Sequence, residues 1–73
     1  METKRQWVNV ESSNIQSLSY DKEKSALYVL FHNGSVYKYD GVPEFVYNTL
    51  LVAESVGRTF NTMVKPNYKY AKV

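Results

Sequence analysis

The 73-residue chain contains no cysteine, which excludes disulfide bonds as a source of stability. A chain of this length forms one domain, residues 1–73, and buries only about 60% of the surface that its unfolded state exposes. Good packing or assembly into oligomers must then take the place of disulfides, and we expect a homo-oligomer. A composition without cysteine is also typical of the cytoplasm, where we expect this protein.

Long apolar runs are also missing. No stretch approaches the roughly 20 consecutive apolar residues that a membrane-spanning helix needs. The first residues, which include Lys4 and Arg5, carry charge without the apolar segment of a signal peptide. We therefore expect no interaction with membranes.

Residues suited to metal binding or catalysis are few. His32 is the single histidine, and a metal site needs several converging ligands. The seven acidic residues are scattered, so no pair has the spacing that general acid and base roles require. We predict a protein that is not an enzyme and that uses no metal and no cofactor.

Acidic residues are absent from Arg58 onward, whereas cations and aromatic rings alternate there. The cations are Arg58, Lys65, Lys69 and Lys72, and the rings are Phe60, Tyr68 and Tyr70. Interleaved basic and aromatic side chains are typical of surfaces that stack on bases and neutralise phosphates. The alternative is a final strand whose lysines only keep it soluble.

Residues 27–39 are two β-branched and aromatic runs joined by Asn33-Gly34, which predicts a β-hairpin. A two-residue loop would place Lys38 and Asp40 on the apolar face. A three-residue loop, residues 32–34 with Gly34 left-handed, avoids this. The second register is preferred because it gathers apolar side chains on one face, namely Leu27, Val29, Phe31, Tyr37 and Tyr39.

The other face of this hairpin keeps several apolar residues, which indicates a partner or a second copy. Its members are Tyr28, Leu30, His32, Val36, Lys38 and Asp40. If the two-residue loop is correct, the faces of Tyr37 and Tyr39 reverse.

Further strands are predicted at residues 7–10 and 15–20, and the first strand of the hairpin covers residues 26–31. The strand at residues 15–20 and the two hairpin strands form an antiparallel meander. Helical spacing predicts one helix from Pro43 to Ala53, with Pro43 in its first turn. A second helix runs from the N-cap Ser55 to about Val64. Residues 67–73 alternate polar and aromatic residues as a final strand does. The fold class is therefore α+β, a small antiparallel β-meander with one or two helices packed on one face and a final strand.

The start of the second helix is the best candidate for anion binding. Ser55, Gly57 and Arg58 combine unpaired backbone amides, close backbone approach and a planar cation. Asn61 lies one turn further on the same side. In the alternative interpretation, Ser55 is an ordinary cap, Gly57 relieves a contact between the helix and the sheet, and Arg58 is solvated.

Three tyrosines are candidates for stacking on a base. Tyr39 lies near the end of its strand, where half exposure would let it serve, and Tyr68 and Tyr70 lie in the last segment. Lys65 is a cation that lies in the sequence between the helical candidates, which end at Asn61, and Tyr68. The predicted ligand-binding residues are thus Ser55, Gly57, Arg58, Asn61, Lys65, Tyr39, Tyr68 and Tyr70.

The chain resembles the KTSC domain family. The resemblance lies in residues 12–15, Tyr20-Asp21, residues 27–31, 33–35 and 37–39, Val42-Pro43, Tyr47, Ser55, Gly57, Phe60-Asn61 and Tyr68. This family occurs at the C-terminus of some lysyl-tRNA synthetases and as small free-standing proteins. It has no settled activity, and the attachment to a synthetase implies RNA binding.

Three functions are open at this point. The first is non-enzymatic nucleotide binding, in its most concrete form a phage protein that sequesters a cyclic nucleotide signal as an oligomer. The second is binding of RNA as a tRNA-type accessory module. The third is a protein-interaction module that uses the outer face of the hairpin.

Overall fold

The computed structural model describes residues 6–73, so the charged start of the chain lies outside the described residues. Five strands and two helices follow one another. Their bounds are β1 Val8–Asn9, β2 Ile15–Asp21, β3 Ala26–Phe31, β4 Val36–Tyr39, α1 Glu44–Val52, α2 Val56–Met63 and β5 Tyr70–Lys72. The predicted α+β class is confirmed, and neither helix is long and apolar enough to cross a membrane.

The strands form one antiparallel sheet in the order β1-β2-β3-β4-β5. The first four strands are a meander, and both helices lie in the connection between β4 and β5. As a result, the β1–β2 loop and the β3–β4 loop lie at the same end of the sheet.

The hairpin has the three-residue loop that core formation favours. Leu27 pairs with Tyr39 and Val29 with Tyr37. The Phe31 amide donates to the Ser35 carbonyl oxygen at 2.9 Å. Gly34 has a φ of +93°, a left-handed conformation that glycine adopts at little cost. The predicted register is therefore confirmed.

The helices cover the face of the sheet that carries Leu18, Leu27 and Val29, and these side chains are fully buried. The helical side of the core consists of Val46, Leu50, Val56, Phe60 and Val64. Burial of such side chains supplies roughly 1.5–3 kcal/mol each, which is the main stabilising contribution in a domain of this size.

The opposite face of the sheet exposes less apolar surface than expected. Tyr28 is only 7% exposed, and Leu30 and Val36 are half-buried. Two small residues, Ser17 and Ser19, lie buried beside them, and the Ser17 hydroxyl donates to Asn9 Oδ1 at 2.6 Å.

The helix ends differ slightly from the prediction. Pro43 has a ψ of 152° and is the N-cap of α1 instead of part of its first turn. Its carbonyl oxygen accepts from the Val46 amide at 3.0 Å, so helical conformation begins at Glu44. Ser55 caps α2 as predicted, and Val64 ends that helix.

Candidate functional site

A groove crosses the end of the sheet where the β1–β2 and β3–β4 loops meet α2. Its central cavity has a volume of about 390 Å³. The lining residues come from both loops and from the helical side: Ser13, Asn14, Ile15, Phe31, His32, Asn33, Gly57, Phe60, Asn61 and Lys65. Polar atoms thus surround a floor of Ile15, Phe31 and Phe60.

The groove continues on one side into an aromatic cavity of about 340 Å³. Phe31, Asn33 and Lys65 line both cavities, so the two are contiguous. The remaining lining residues are Ser35, Tyr37, Tyr39 and Tyr70.

On its other side the central cavity continues into a far cavity of about 400 Å³. The shared residues are Ser13, Asn14, Gly57 and Asn61. The others are Glu11, Ser12, Glu54, Ser55, Arg58 and Thr62. The groove therefore extends from an aromatic end to an end that holds two carboxylates and one guanidinium.

Hydrogen bonds fix the β1–β2 loop against the hairpin. The Ser12 hydroxyl accepts from the amides of Asn14 and Ile15, both at 3.3 Å. His32 Nε2 lies 2.9 Å from the Ser12 carbonyl oxygen, to which it donates, and the His32 amide donates to the Asn14 carbonyl oxygen at 3.0 Å. These hydrogen bonds therefore hold together the two loops that form the polar wall of the central cavity.

Helix α2 approaches this loop closely at Gly57. A Cβ atom on Gly57 would lie 3.0 Å from the Ser12 Oγ atom. This distance is shorter than ordinary van der Waals contact, so the absence of a side chain lets the helix form the other wall of the groove. The alternative prediction placed this contact between the helix and the sheet, whereas Gly57 meets the β1–β2 loop.

The hairpin tip is shaped by its own turn. Asn33 Oδ1 accepts from the Ser35 amide at 2.9 Å, and the Gly34 amide donates to the Phe31 carbonyl oxygen at 2.9 Å. Because its oxygen is held by the turn, Asn33 can offer its amide nitrogen to a ligand.

Three tyrosines form an aromatic shelf, defined as Tyr37, Tyr39 and Tyr70. The Tyr70 ring centroid lies 5.3 Å from that of Tyr37 and 5.4 Å from that of Tyr39. Phe31 meets Tyr37 edge-on at 5.4 Å. Tyr70 is 60% exposed and is therefore the ring of this shelf that is most available for stacking.

Tyr39 is the inner member of the shelf. It is only 3% exposed, which corrects the expectation of half exposure. The reason is its contact with Phe60 at a ring centroid distance of 5.3 Å on one side and with Tyr70 on the other. Burial raises the pKa of the Tyr39 hydroxyl, and the neighbouring Tyr70 and Tyr37 raise it further.

The structure brings together some of the predicted site residues and separates others. Gly57, Asn61 and Lys65 line the central cavity, whereas Ser55 and Arg58 line the far cavity. Tyr39 and Tyr70 line the aromatic cavity together with Lys65. Seven of the eight predicted residues thus lie along the groove, spread over its three cavities.

Two further predicted residues differ in their positions. Tyr68 lines none of the three cavities; it is half-buried against the core, and its amide donates to the Val64 carbonyl oxygen at 3.1 Å. At the start of α2, the Ser55 hydroxyl accepts from the Arg58 amide at 3.3 Å. Ser55 therefore acts as a cap, which occupies the Arg58 amide, and its role in ligand binding stays a prediction.

The predicted site lacks the loop residues of the groove, above all Asn14, His32 and Asn33. These residues belong to two polar clusters, residues 12–14 and 32–34, that lie far apart in the sequence. In an antiparallel meander, alternate loops lie at the same end of the sheet. This topology places the two polar clusters at the same end of the sheet, so the predicted meander could have indicated that they meet.

Charge is distributed unevenly along the groove. Lys65 is the one cation that lines the central and aromatic cavities. Within residues 6–73 the only ion pair joins Lys38 to Asp40 at 3.6 Å, so Glu11, Glu54 and Arg58 form no ion pair with one another. The same residues include no group of three histidine, cysteine or acidic side chains able to hold a metal.

Known proteins resemble this chain over most of its length. A family model described as the KTSC domain matches residues 11–68. A protein of Stutzerimonas stutzeri without an assigned function is 43% identical over 67 residues, which cover 90% of this chain and 94% of that protein. A lysine–tRNA ligase of Nostoc punctiforme is 36% identical over 63 residues, which cover 86% of this chain and 11% of the ligase.

A solved structure agrees with this relationship. The crystal structure of a KTSC domain protein from Yersinia pestis superimposes with a TM-score of 0.88 at 34% identity, covering 96% of this chain and 99% of that protein. The chain therefore belongs to the KTSC domain family.

Proposed function

We propose that this domain binds a nucleotide in the groove without altering it chemically. The observation that carries the proposal is the position of Lys65 between the aromatic shelf and the asparagines of the central cavity. In this arrangement the base stacks on Tyr70 and the phosphate pairs with Lys65.

The aromatic end suits a base because stacking on a tyrosine contributes about 1–3 kcal/mol. Tyr70 offers an exposed ring, and its contacts with Tyr37 and Tyr39 limit its motion. While β5 is paired with β4, these contacts orient the ring for stacking.

The central cavity suits a sugar and a phosphate because it presents side-chain amides beside one ammonium group. Asn14, Asn33 and Asn61 supply donors and acceptors. The cavity volumes, about 390 and 340 Å³, fall in the range of about 300–1,000 Å³ that is typical of small-molecule sites. Ser13 lines the central cavity and Ser35 lines the aromatic cavity, and within residues 6–73 neither hydroxyl is hydrogen-bonded to His32 or to a carboxylate. Stoichiometric capture is therefore the proposed mode of action.

Isothermal titration calorimetry with linear and cyclic nucleotides tests this proposal. We expect saturable binding that Lys65→Ala and Tyr70→Ala each weaken by about tenfold, which corresponds to about 1.4 kcal/mol. Lys22→Ala and Phe45→Ala are matched controls, because Lys22 is an exposed lysine and Phe45 is 65% exposed, and neither lines the groove.

Absence of saturable binding to any nucleotide would contradict the proposal. Equal losses in the groove variants and in their controls would also contradict it, since the effect would then be one of general charge or surface. Sequestration of a cyclic signal by a phage-encoded oligomer stays a prediction, for which the same titrations with cyclic nucleotides provide the first test.

RNA binding is the second candidate function. It is favoured by the similarity to the lysine–tRNA ligase, whose name indicates a protein that acts on tRNA. If the domain binds RNA, affinity grows with strand length and falls steeply with added salt, because each neutralised phosphate releases counterions. Binding of a mononucleotide that depends little on salt would exclude this candidate. The protein-interaction alternative stays a prediction that light scattering tests.

A further inference from the structure

We infer that the two acidic residues of the far cavity, Glu11 and Glu54, make the groove favour nucleotides that carry a single phosphate over those that carry two or three. This inference rests on the proposed function and adds to it the class of ligand and the residues that select it. The selection depends first on the direction in which a nucleotide lies along the groove.

The aromatic shelf fixes one end of the ligand. A base that stacks on Tyr70 has Lys65 and Asn33 beside it, because both line the aromatic and central cavities. The first phosphate then lies near Lys65. Any phosphate that follows it along the groove passes Asn61 and enters the far cavity.

Charge in the far cavity opposes that entry. Its lining includes two carboxylates, of Glu11 and Glu54, and one guanidinium, of Arg58. Neither carboxylate forms an ion pair with Arg58 within residues 6–73, and all three side chains are exposed in the lining of this cavity. Two negative charges against one positive charge repel a second or third phosphate.

The hydrogen bonds around the far cavity keep this arrangement in place. Glu11 precedes the loop that Ser12 and His32 brace, and Glu54 precedes the Ser55 cap of α2. Glu11 and Glu54 therefore each lie next to a residue that is hydrogen-bonded in the wall of the groove. Arg58 is the one cation that lines the far cavity, and its backbone amide is already bonded to Ser55.

Titrations with AMP, ADP and ATP test the inference at low ionic strength, with a chelator present to remove divalent cations. In wild-type protein we expect ATP to bind about threefold or more weakly than AMP. In Glu11→Gln/Glu54→Gln we expect this order to reverse, because Lys65 and Arg58 then face the phosphate chain without opposing carboxylates.

The control is Glu23→Gln/Glu44→Gln, which changes the net charge equally at two exposed acids outside the groove. It should retain the wild-type order. Thermal unfolding of both variants verifies that they fold. ATP binding tighter than that of AMP in the wild type, or an unchanged order in Glu11→Gln/Glu54→Gln, would overturn the inference while leaving the proposed function in place. If AMP, ADP and ATP and the corresponding nucleotides of the other bases all fail to bind, both the inference and the proposed function are overturned.

Discussion

Gly57 lies where α2 passes closest to the β1–β2 loop, and its effect on stability depends on one neighbouring atom. A Cβ at this position would lie 3.0 Å from Ser12 Oγ. That oxygen is not free to move, because it accepts two backbone hydrogen bonds, from Asn14 and Ile15. The contact therefore opposes the usual gain of up to about 1 kcal/mol when alanine replaces glycine in a helix.

A double-mutant cycle separates these effects. We expect Gly57→Ala to be neutral or destabilising in the wild type and to be stabilising in Ser12→Ala, where the obstructing oxygen is gone. The coupling free energy should be about 1 kcal/mol, measured by urea unfolding. Additive effects of the two substitutions would show that the loop relaxes without cost.

Gly57 also shows how far the contacts of a single residue can be predicted from the sequence. Close backbone approach at Gly57 was predicted, but the partner was taken to be a ligand or the sheet. The actual partner, Ser12, is 45 positions away in the chain. No local pattern specifies such a contact, because it depends on how the helix crosses the sheet.

The side chain of the N-cap residue stabilises α2 but not α1. Ser55 accepts the Arg58 amide through its side chain, whereas the N-cap of α1, Pro43, makes no side-chain cap bond. A serine cap contributes typically about 1 kcal/mol. Ser55 therefore contributes to the stability of α2, and its role in ligand binding stays a prediction.

Substitution of this cap distinguishes the two roles. We expect Ser55→Ala to lower the free energy of unfolding by about 0.5–1 kcal/mol and to leave AMP affinity within twofold of the wild type. Chemical denaturation and calorimetry provide the two measurements. Ser13→Ala serves as the control for stability, because Ser13 is exposed and lines the groove without capping a helix. A loss of affinity without a loss of stability would restore Ser55 to the binding site.

Elements proved more predictable than the site. The register of β3 and β4 follows from burial alone, since only the three-residue loop gathers Val29 and Tyr37 on the core face. Helix ends were predicted to within a residue or two, with Pro43 and Ser55 marking the two helix starts. The groove was only half predicted, because its loop residues acquire their positions from the His32–Ser12 contact, which belongs to tertiary structure.

At the scale of the whole molecule, tyrosine burial links stability to pH. Burial raises the pKa of both Tyr39 and Tyr47 above the ordinary value of 10.0. Above pH 10 the unfolded chain releases these protons first, while the folded chain retains them. The stabilisation is therefore complete below pH 10 and is lost as the pH rises through the folded pKa.

We expect the free energy of unfolding to fall above pH 10, with a slope of at most about 1.4 kcal/mol per pH unit for each buried tyrosine. Tyr39→Phe keeps the ring and removes one titrating hydroxyl, so its stability should decline less steeply. Urea unfolding between pH 8 and 11 measures this, with Tyr47→Phe as a second variant. Identical slopes for the wild type and both variants would contradict the assignment.

Strand β5 closes one edge of the sheet, and this position affects the aromatic shelf. All three of its residues are exposed, and in the described part of the chain its only neighbouring strand is β4. Local opening of such an edge requires less free energy than unfolding the core. Because Tyr70 lies on β5 whereas Tyr37 and Tyr39 lie on β4, fraying of one strand would dismantle the shelf and leave the fold intact. A ligand stacked on Tyr70 would hold the strand in place, so that occupancy of the groove and order at the end of the chain rise together.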